Sequence, residues 1–264
     1  MLPHDAELDS SPLVYSERVA LPDDGKTTVH VFSAALRDTV IRVASLGSAK
    51  RVADVCHDLG GQVIAAMSGG FFAREARRPL GDLWITGERQ SHVPFQAPWH
   101  DIRGALHVAA DRISIDQRRM LQAQPDGDLL QAGPLLVMDG RLVVDVAVDI
   151  EGFSAGSCQF DSDITAGRYP RAAIGHDDSY VYGVVVNGRS DSDVGMTLNE
   201  LAMYMMERLG VVAALNLDGG GSATLVARDP ESAFRVMNSP MDGYMQPTPG
   251  GSREVYSAIV FRQV

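Results

Sequence analysis

Two apolar runs suited to strands, within Ala213 to Val226, are joined by one carboxylate and three consecutive glycines, Asp218-Gly219-Gly220-Gly221, followed by Ser222. Three adjacent glycines give up more backbone entropy on folding than any other triplet. Such a connection belongs where the chain must take positive φ or lie against a ligand. The amides of the turn can form a concave nest for an anion. The same residues suit a plain hairpin, because Asp-Gly is a common turn signal. Asp218 is thus either a carboxylate pointed into a cleft across from backbone amides or an Asx-turn residue bonded to its own turn.

Size and charge narrow the classes. A chain of 264 residues that is 45% apolar can bury a sizeable core, as one large domain or two small ones. A formal charge of −11 argues against a nucleic-acid partner, which needs clustered lysine and arginine to displace counterions. The N-terminus, Met1-Leu2-Pro3-His4-Asp5-Ala6-Glu7, has acids where a signal peptide needs a basic region, and no apolar stretch follows that is long enough to span a bilayer. A soluble, leaderless, cytoplasmic chain with no membrane partner is expected, and a secreted one if a leader has been removed. Cys56 and Cys158, two and far apart, fit buried thiols in a reducing compartment better than a disulfide framework.

The patterning predicts an α+β fold of largely antiparallel twisted sheets with a few packed helices, in a single compact domain. Residues 1–60 supply opening strands and a helix to the same domain as 61–264. Leu13 to Ala20 and Thr28 to Ala34 flank a turn at Pro22-Asp23-Asp24-Gly25, and Val40 to Ala44 reads as a third strand. Ser48 can cap a helix over Ala49 to Leu59, with Val52, Cys56 and Leu59 at helical spacing and Gly60 as its stop. Gln62 to Met67 is a buried strand. Phe72 to Gly104 reads as a long ordered loop with scattered arginines, either a substrate cover or a solvated face. Further pairs are expected at Leu106 to Ala109 with Arg112 to Ile115, Leu135 to Met138 with Arg141 to Val144, and Arg171 to Gly175 with Tyr180 to Val186. The clearest helix runs from Leu198 to Leu209, its apolar face built from Leu198, Leu201, Ala202, Met205 and Leu209, with Gly210 ending it. Met241 to Ser252, rich in proline and glycine, is a late loop.

Several short segments follow one another in a telling order: Ser68-Gly69-Gly70-Phe71-Phe72, Pro79-Leu80-Gly81, Gly133-Pro134-Leu135-Leu136-Val137, Pro170-Arg171-Ala172-Ala173-Ile174-Gly175 and Asn187-Gly188-Arg189-Ser190. They continue through Gly195-Met196-Thr197-Leu198-Asn199-Glu200-Leu201-Ala202, Asn216 to Ser222, Asn238-Ser239-Pro240 and Arg253. From about Gly61 onward the chain resembles the phosphodiester glycosidase family. Two departures bear on which sugar hydroxyls are read: Ser68 stands where relatives commonly carry asparagine, and Asn187 where many carry aspartate.

The resemblance implies a glycoside hydrolase that cleaves a sugar-1-phosphodiester, on a small molecule or a glycan, at the anomeric C–O bond. The products would be free sugar and a phosphomonoester, and no cofactor or metal is expected. Asp218 is the first choice for catalytic base or nucleophile. Glu200 either completes the capping box of Thr197-Leu198-Asn199-Glu200 or is the second carboxylate that glycosyl transfer commonly uses. One or two of Arg171, Arg189 and Arg253 are expected to hold the phosphate, because the planar guanidinium fork matches two oxygens, with Arg171 first since Pro170 fixes its entry and a strand holds it; each alone also suits a surface arginine or a structural ion pair. Asn187, Asn238, Gly69, Gly70, Gly219, Gly220, Gly221 and Ser222 complete the expected substrate contacts.

Rival chemistries fit less well. Ser222 has no histidine in a neighbouring motif and no Gly-x-Ser-x-Gly elbow, so it reads as a hydrogen-bond donor. No lysine follows the glycines as a Walker loop requires. Asp161-Ser162-Asp163 and Asp191-Ser192-Asp193 are acidic loops able to offer oxygens to a cation, which keeps open a metal-dependent phosphodiesterase that breaks the P–O bond. The same residues would also serve a transferase or cyclising relative in a biosynthetic pathway, or a carbohydrate-binding domain that keeps the pocket without the chemistry.

Overall fold

The computed structural model describes residues 11–110, 112–145, 147–154, 164–229 and 231–264, so Cys158 and Asp161-Ser162-Asp163 lie outside it. Every strand ladder in this range is antiparallel, and helices are few, as the turn-punctuated patterning predicts.

The largest sheet has seven strands in the order Leu13–Ala20, Lys26–Ala35, Tyr180–Val186, Arg171–His176, Ala213–Asn216, Leu135–Met138 and Arg141–Leu142. A five-stranded sheet runs Phe234–Val236, Leu225–Arg228, Val63–Ser68, Val255–Gln263 and Thr39–Lys50. Another has the order Ile113–Gln117, Gly104–Val108, Asp128–Gln131, Leu83–Ile85 and Glu88–Arg89. One apolar core joins all three, with Phe32, Ile174 and Leu215 meeting Met67, Ile259 and Phe261 on one side and Leu83, Leu106 and Leu130 on the other. Phe32 and Phe261 bring their rings to 4.5 Å between centroids.

The strand period of two explains why the large sheet needs cover on both faces. Phe32 and Ala34 enter the central core, whereas Val29 and Val31 pack into a second cluster with the helix Leu198–Met203. That helix brings Leu198, Leu201 and Ala202, and the following π-helical turn Tyr204–Arg208 adds Met205, before Gly210 at φ 72° stops it.

The predicted helix at Ala49 starts later. Ser48, Ala49 and Lys50 extend strand Thr39–Lys50, where Lys50 pairs with Val255, and the helix runs only over Val52–Leu59. Ladder pairing outcompetes the Ser48 cap. Val52, Val55 and Cys56 are buried against the sheet, but Leu59 is exposed rather than part of the apolar face. Cys56 is an inert thiol, its pKa pushed up to about 12 by burial.

Two regions read as loops contain hairpins. Phe72 to Gly104 holds Phe72–Ala73 paired with Arg78–Pro79 and Leu83–Ile85 paired with Glu88–Arg89. Met241 to Ser252 holds Met241–Gly243 paired with Gln246–Pro247. Strands of two or three residues leave too little periodicity to be seen in a sequence.

The glycine turn is not a hairpin. Strand Ala213–Asn216 belongs to the seven-stranded sheet and Leu225–Arg228 to the five-stranded sheet of the C-terminal strand, so Leu217 to Thr224 crosses between sheets. Local turn chemistry is the same in both arrangements, which is why the sequence leaves the two readings open.

Candidate active site

Where that crossing leaves the large sheet it borders a cavity of about 400 Å³. Asn216, Asp218, Gly219 and Gly220 line one side, with Tyr169, Arg171 and Arg189 beside them. The hairpin of Phe72 contributes Phe72, Arg74 and Glu75, the hairpin of Met241 contributes Asp242, and Arg253 comes from the segment before the last strand.

Asp218 is half-buried, and its amide donates to the carbonyl of Gly69 at 3.1 Å. Burial pushes its carboxyl up to about 6, against the opposing pull of the Ser222 hydroxyl, Arg253, Arg74 and the Gly219 amide. Ser222 is buried, and its hydroxyl lies near enough to favour the Asp218 carboxylate without a well-aligned hydrogen bond to any group. The turn itself requires glycine at two places. Gly220 has φ 59°, and a Cβ at Gly221 would overlap the Asp242 carboxylate.

Four arginines line the cavity, Arg74, Arg171, Arg189 and Arg253, and two of them, Arg189 and Arg253, are held by the Met241 hairpin. Arg189 Nη1 donates to the carbonyls of Met241 at 3.0 Å and Asp242 at 2.6 Å, and Arg253 Nη2 donates to the Asp242 carboxylate. Burial, then repulsion from Arg253, lowers the pKa of Arg189 below the usual guanidinium value. The Tyr169 ring lies 5.8 Å from the Arg189 guanidinium and 5.3 Å from that of Arg171.

Several expected contacts are placed differently. The Arg171 fork is given to the chain's own carbonyls: Nε donates to Met196 at 3.0 Å, Nη1 to Ile164 at 2.9 Å and Nη2 to Gly167 at 3.2 Å. It lines the cavity but is spent on holding its loops. Asn238 donates to the carbonyl of Ala223 and accepts from the amide of Leu225, bracing the far end of the crossing. Asn187 accepts from the amide of Ser239 at 2.9 Å and is likewise outside the lining. Gly70 donates its amide to Ser257 Oγ, so Gly69 and Gly70 support the turn from behind. Gly221 and Ser222 are buried within the crossing and do not line the cavity either.

Glu200 does not reach the cavity. Its carboxylate accepts from the Thr197 amide at 2.8 Å and from Arg168 Nη2 at 2.6 Å, while its own amide donates to Thr197 Oγ1. Burial opposes its charge, but Arg168 and the Thr197 amide outweigh it and hold the carboxyl below its ordinary value. The geometry therefore favours the capping box. Glu200→Gln keeps the amide's acceptor and loses the charge, so thermal unfolding should show a loss of about 1 kcal/mol with turnover within about threefold of wild type. A hundredfold fall in turnover at unchanged stability would return Glu200 to the chemistry.

Asp242, Tyr169 and Arg74 line the cavity, and no motif in the sequence marks them. Tyr169 directly precedes Pro170-Arg171, and Asp242 follows Asn238-Ser239-Pro240 closely; adjacency to those segments is the signal available. In the second acidic loop, Asp193 accepts from Arg18 at 2.7 Å and from the Thr28 amide at 2.6 Å, and Asp191 from Tyr244. Among the described residues no three His, Cys, Asp or Glu side chains gather into a metal-binding group. None of the described helices is long and apolar enough to cross a membrane.

The fold is shared with solved structures. The zebrafish N-acetylglucosamine-1-phosphodiester alpha-N-acetylglucosaminidase catalytic domain matches 96% of this chain and 83% of its own at a TM-score of 0.68 and 16% identity. A hypothetical protein from Synechocystis matches 96% of this chain and 62% of its own at a TM-score of 0.61 and 17% identity. In sequence, the N-acetylglucosamine-1-phosphodiester alpha-N-acetylglucosaminidase of Bos taurus is 30% identical over 167 residues, which is 61% of this chain and 30% of the bovine protein's length. Residues 61–262, the span that holds the glycine crossing and all four arginines of the cavity, match the phosphodiester glycosidase family, and the chain belongs to it.

Proposed function

We propose that this chain hydrolyses a sugar-1-phosphodiester at the anomeric C–O bond, releasing free sugar and a phosphomonoester. The observation that carries this reading is the sharing of one cavity by Asp218, poised near neutrality, and the guanidinium groups of Arg189 and Arg253. A phosphate leaves as a much weaker base than a sugar alkoxide, so its departure needs charge stabilisation more than a proton. Arg189 and Arg253 supply that stabilisation. Asp218, as the carboxylate, takes the proton of the water that attacks the anomeric carbon, and its raised pKa makes it the stronger base. Membership of the family and the names of the bovine and zebrafish relatives support N-acetylglucosamine as the sugar.

The test is incubation with the methyl phosphodiester of N-acetylglucosamine-1-phosphate. Equal amounts of free sugar and methyl phosphate are expected, with no loss of rate in a chelator. Release of sugar-1-phosphate and methanol would contradict the reading, and dependence on a divalent cation would favour the phosphodiesterase.

A further inference from the structure

One residue of the Met241 hairpin reaches two of the cavity's four arginines, Arg189 and Arg253, by different atoms. The Asp242 carbonyl accepts from Arg189 Nη1, and its carboxylate accepts from Arg253 Nη2. The hairpin is in turn tied to the segment that carries Arg189: the Met245 amide donates to the Arg189 carbonyl at 2.7 Å, and the Tyr244 hydroxyl donates to Asp191. The Asp242 carboxylate is lodged against Gly221, in space that a Cβ would fill. Among the described residues neither Arg189 nor Arg253 has an acceptor outside Met241 and Asp242.

Two guanidinium groups drawn to one cavity repel each other and lose hydration, so a carboxylate between them offsets part of that cost. It also removes rotamer freedom that an anion would otherwise have to freeze on binding. Each arginine gives Asp242 one edge and keeps its remaining N–H groups for a ligand.

We infer that Asp242 is the positioning residue of the phosphate site, fixing Arg189 through its main chain and Arg253 through its side chain so that together they receive the oxygens of a phosphate ester. This rests on the reading that the cavity takes a phosphodiester. The site then includes the hairpin, and its geometry tolerates no longer acid at this position because Gly221 closes the space behind the carboxylate.

The test is calorimetric titration of the whole chain with methyl phosphate, for wild type, Asp242→Ala and Asp242→Asn, with the thermal midpoint of each recorded. The alanine variant keeps the carbonyl that holds Arg189 and frees Arg253, so its affinity for methyl phosphate should fall about tenfold. Asparagine still offers an oxygen to Arg253 and should cost about threefold. With the methyl phosphodiester of N-acetylglucosamine-1-phosphate, KM should rise in the same order while kcat falls less. A residue that only props the fold would shift the thermal midpoint without this ordering in affinity. Unchanged affinity in the alanine variant overturns the inference, and so does tighter binding, which would mean that Asp242 competes for the arginines. If methyl phosphate binds with the expected order while no sugar phosphodiester is turned over, the inference stands and the glycosidase reading fails. If phosphodiesters are turned over and the two variants match wild type, the inference alone fails.

Discussion

Asp218→Asn should lower turnover about a hundredfold or more while making the folded protein more stable at alkaline pH. The sign follows from the raised pKa. A carboxyl held at about 6 in the fold, against an ordinary 3.8, contributes most below its unfolded pKa, and the contribution is lost as pH rises through about 6. At pH 8 the charge is buried at a cost that asparagine removes, worth about 1–2 kcal/mol once partial exposure is allowed for. At pH 4 the two proteins should be nearly equal. Wild-type kcat/KM should rise with pH through about 6 as the carboxylate forms, and the residual rate of the variant should lack that limb. Urea unfolding at the two pH values and a pH–rate profile check the two halves separately. A variant with near-normal turnover would remove Asp218 from the mechanism.

Replacing Arg253 by alanine should cost about ten- to a hundredfold in kcat/KM on phosphodiester substrates, the range expected for losing a charge-assisted hydrogen bond in a partly buried site. Arg189→Ala should act in the same direction, and the double variant should lose less than the product of the single losses because the two share Asp242 and, on the proposed reading, one phosphate. A neutral glycoside of the same sugar should be affected far less. Arg253 also pulls the Asp218 carboxyl downward, so its removal should move the acidic limb of the rate profile to higher pH. Lysine at 253 keeps a charge but loses the fork and should rescue only in part. Equal losses on charged and neutral substrates would assign Arg253 to folding.

What the sequence discloses, and what it hides, follows from how local each signal is. The strands Leu13–Ala20 and Tyr180–Val186 carry β-branched residues and flanking turns, so they stand out along the chain. The apolar face of Leu198, Leu201, Ala202, Met205 and Leu209 has a period that no strand shares, and it is the face that packs on the large sheet. The Asp218 turn is visible because three glycines are costly unless used. Its passage from one sheet to another is not, since that depends on pairing with Ile174 on one side and Met67 on the other, far away in sequence. Glu200 fits a cap and a catalyst equally until Arg168, 32 residues away, is seen to hold its carboxylate. Arg171 reads as a phosphate fork until three carbonyls are found on it. Asp242 sits among prolines and glycines with no periodicity around it, and its importance comes from two arginines, one of them 53 residues away.

Attack at the anomeric carbon, with the phosphate leaving intact, is tested most directly by hydrolysis in oxygen-18 water. Cleavage of the C–O bond and cleavage of the neighbouring P–O bond give the same sugar and the same phosphomonoester, so only the label tells them apart. If Asp218 acts at carbon and Arg189 and Arg253 hold the phosphate, as proposed, the label should enter the anomeric hydroxyl, read by mass spectrometry before hydration of the open-chain aldehyde exchanges that oxygen with the solvent. Label in the phosphomonoester, with none in the freshly released sugar, would contradict this mechanism and place the attack at phosphorus.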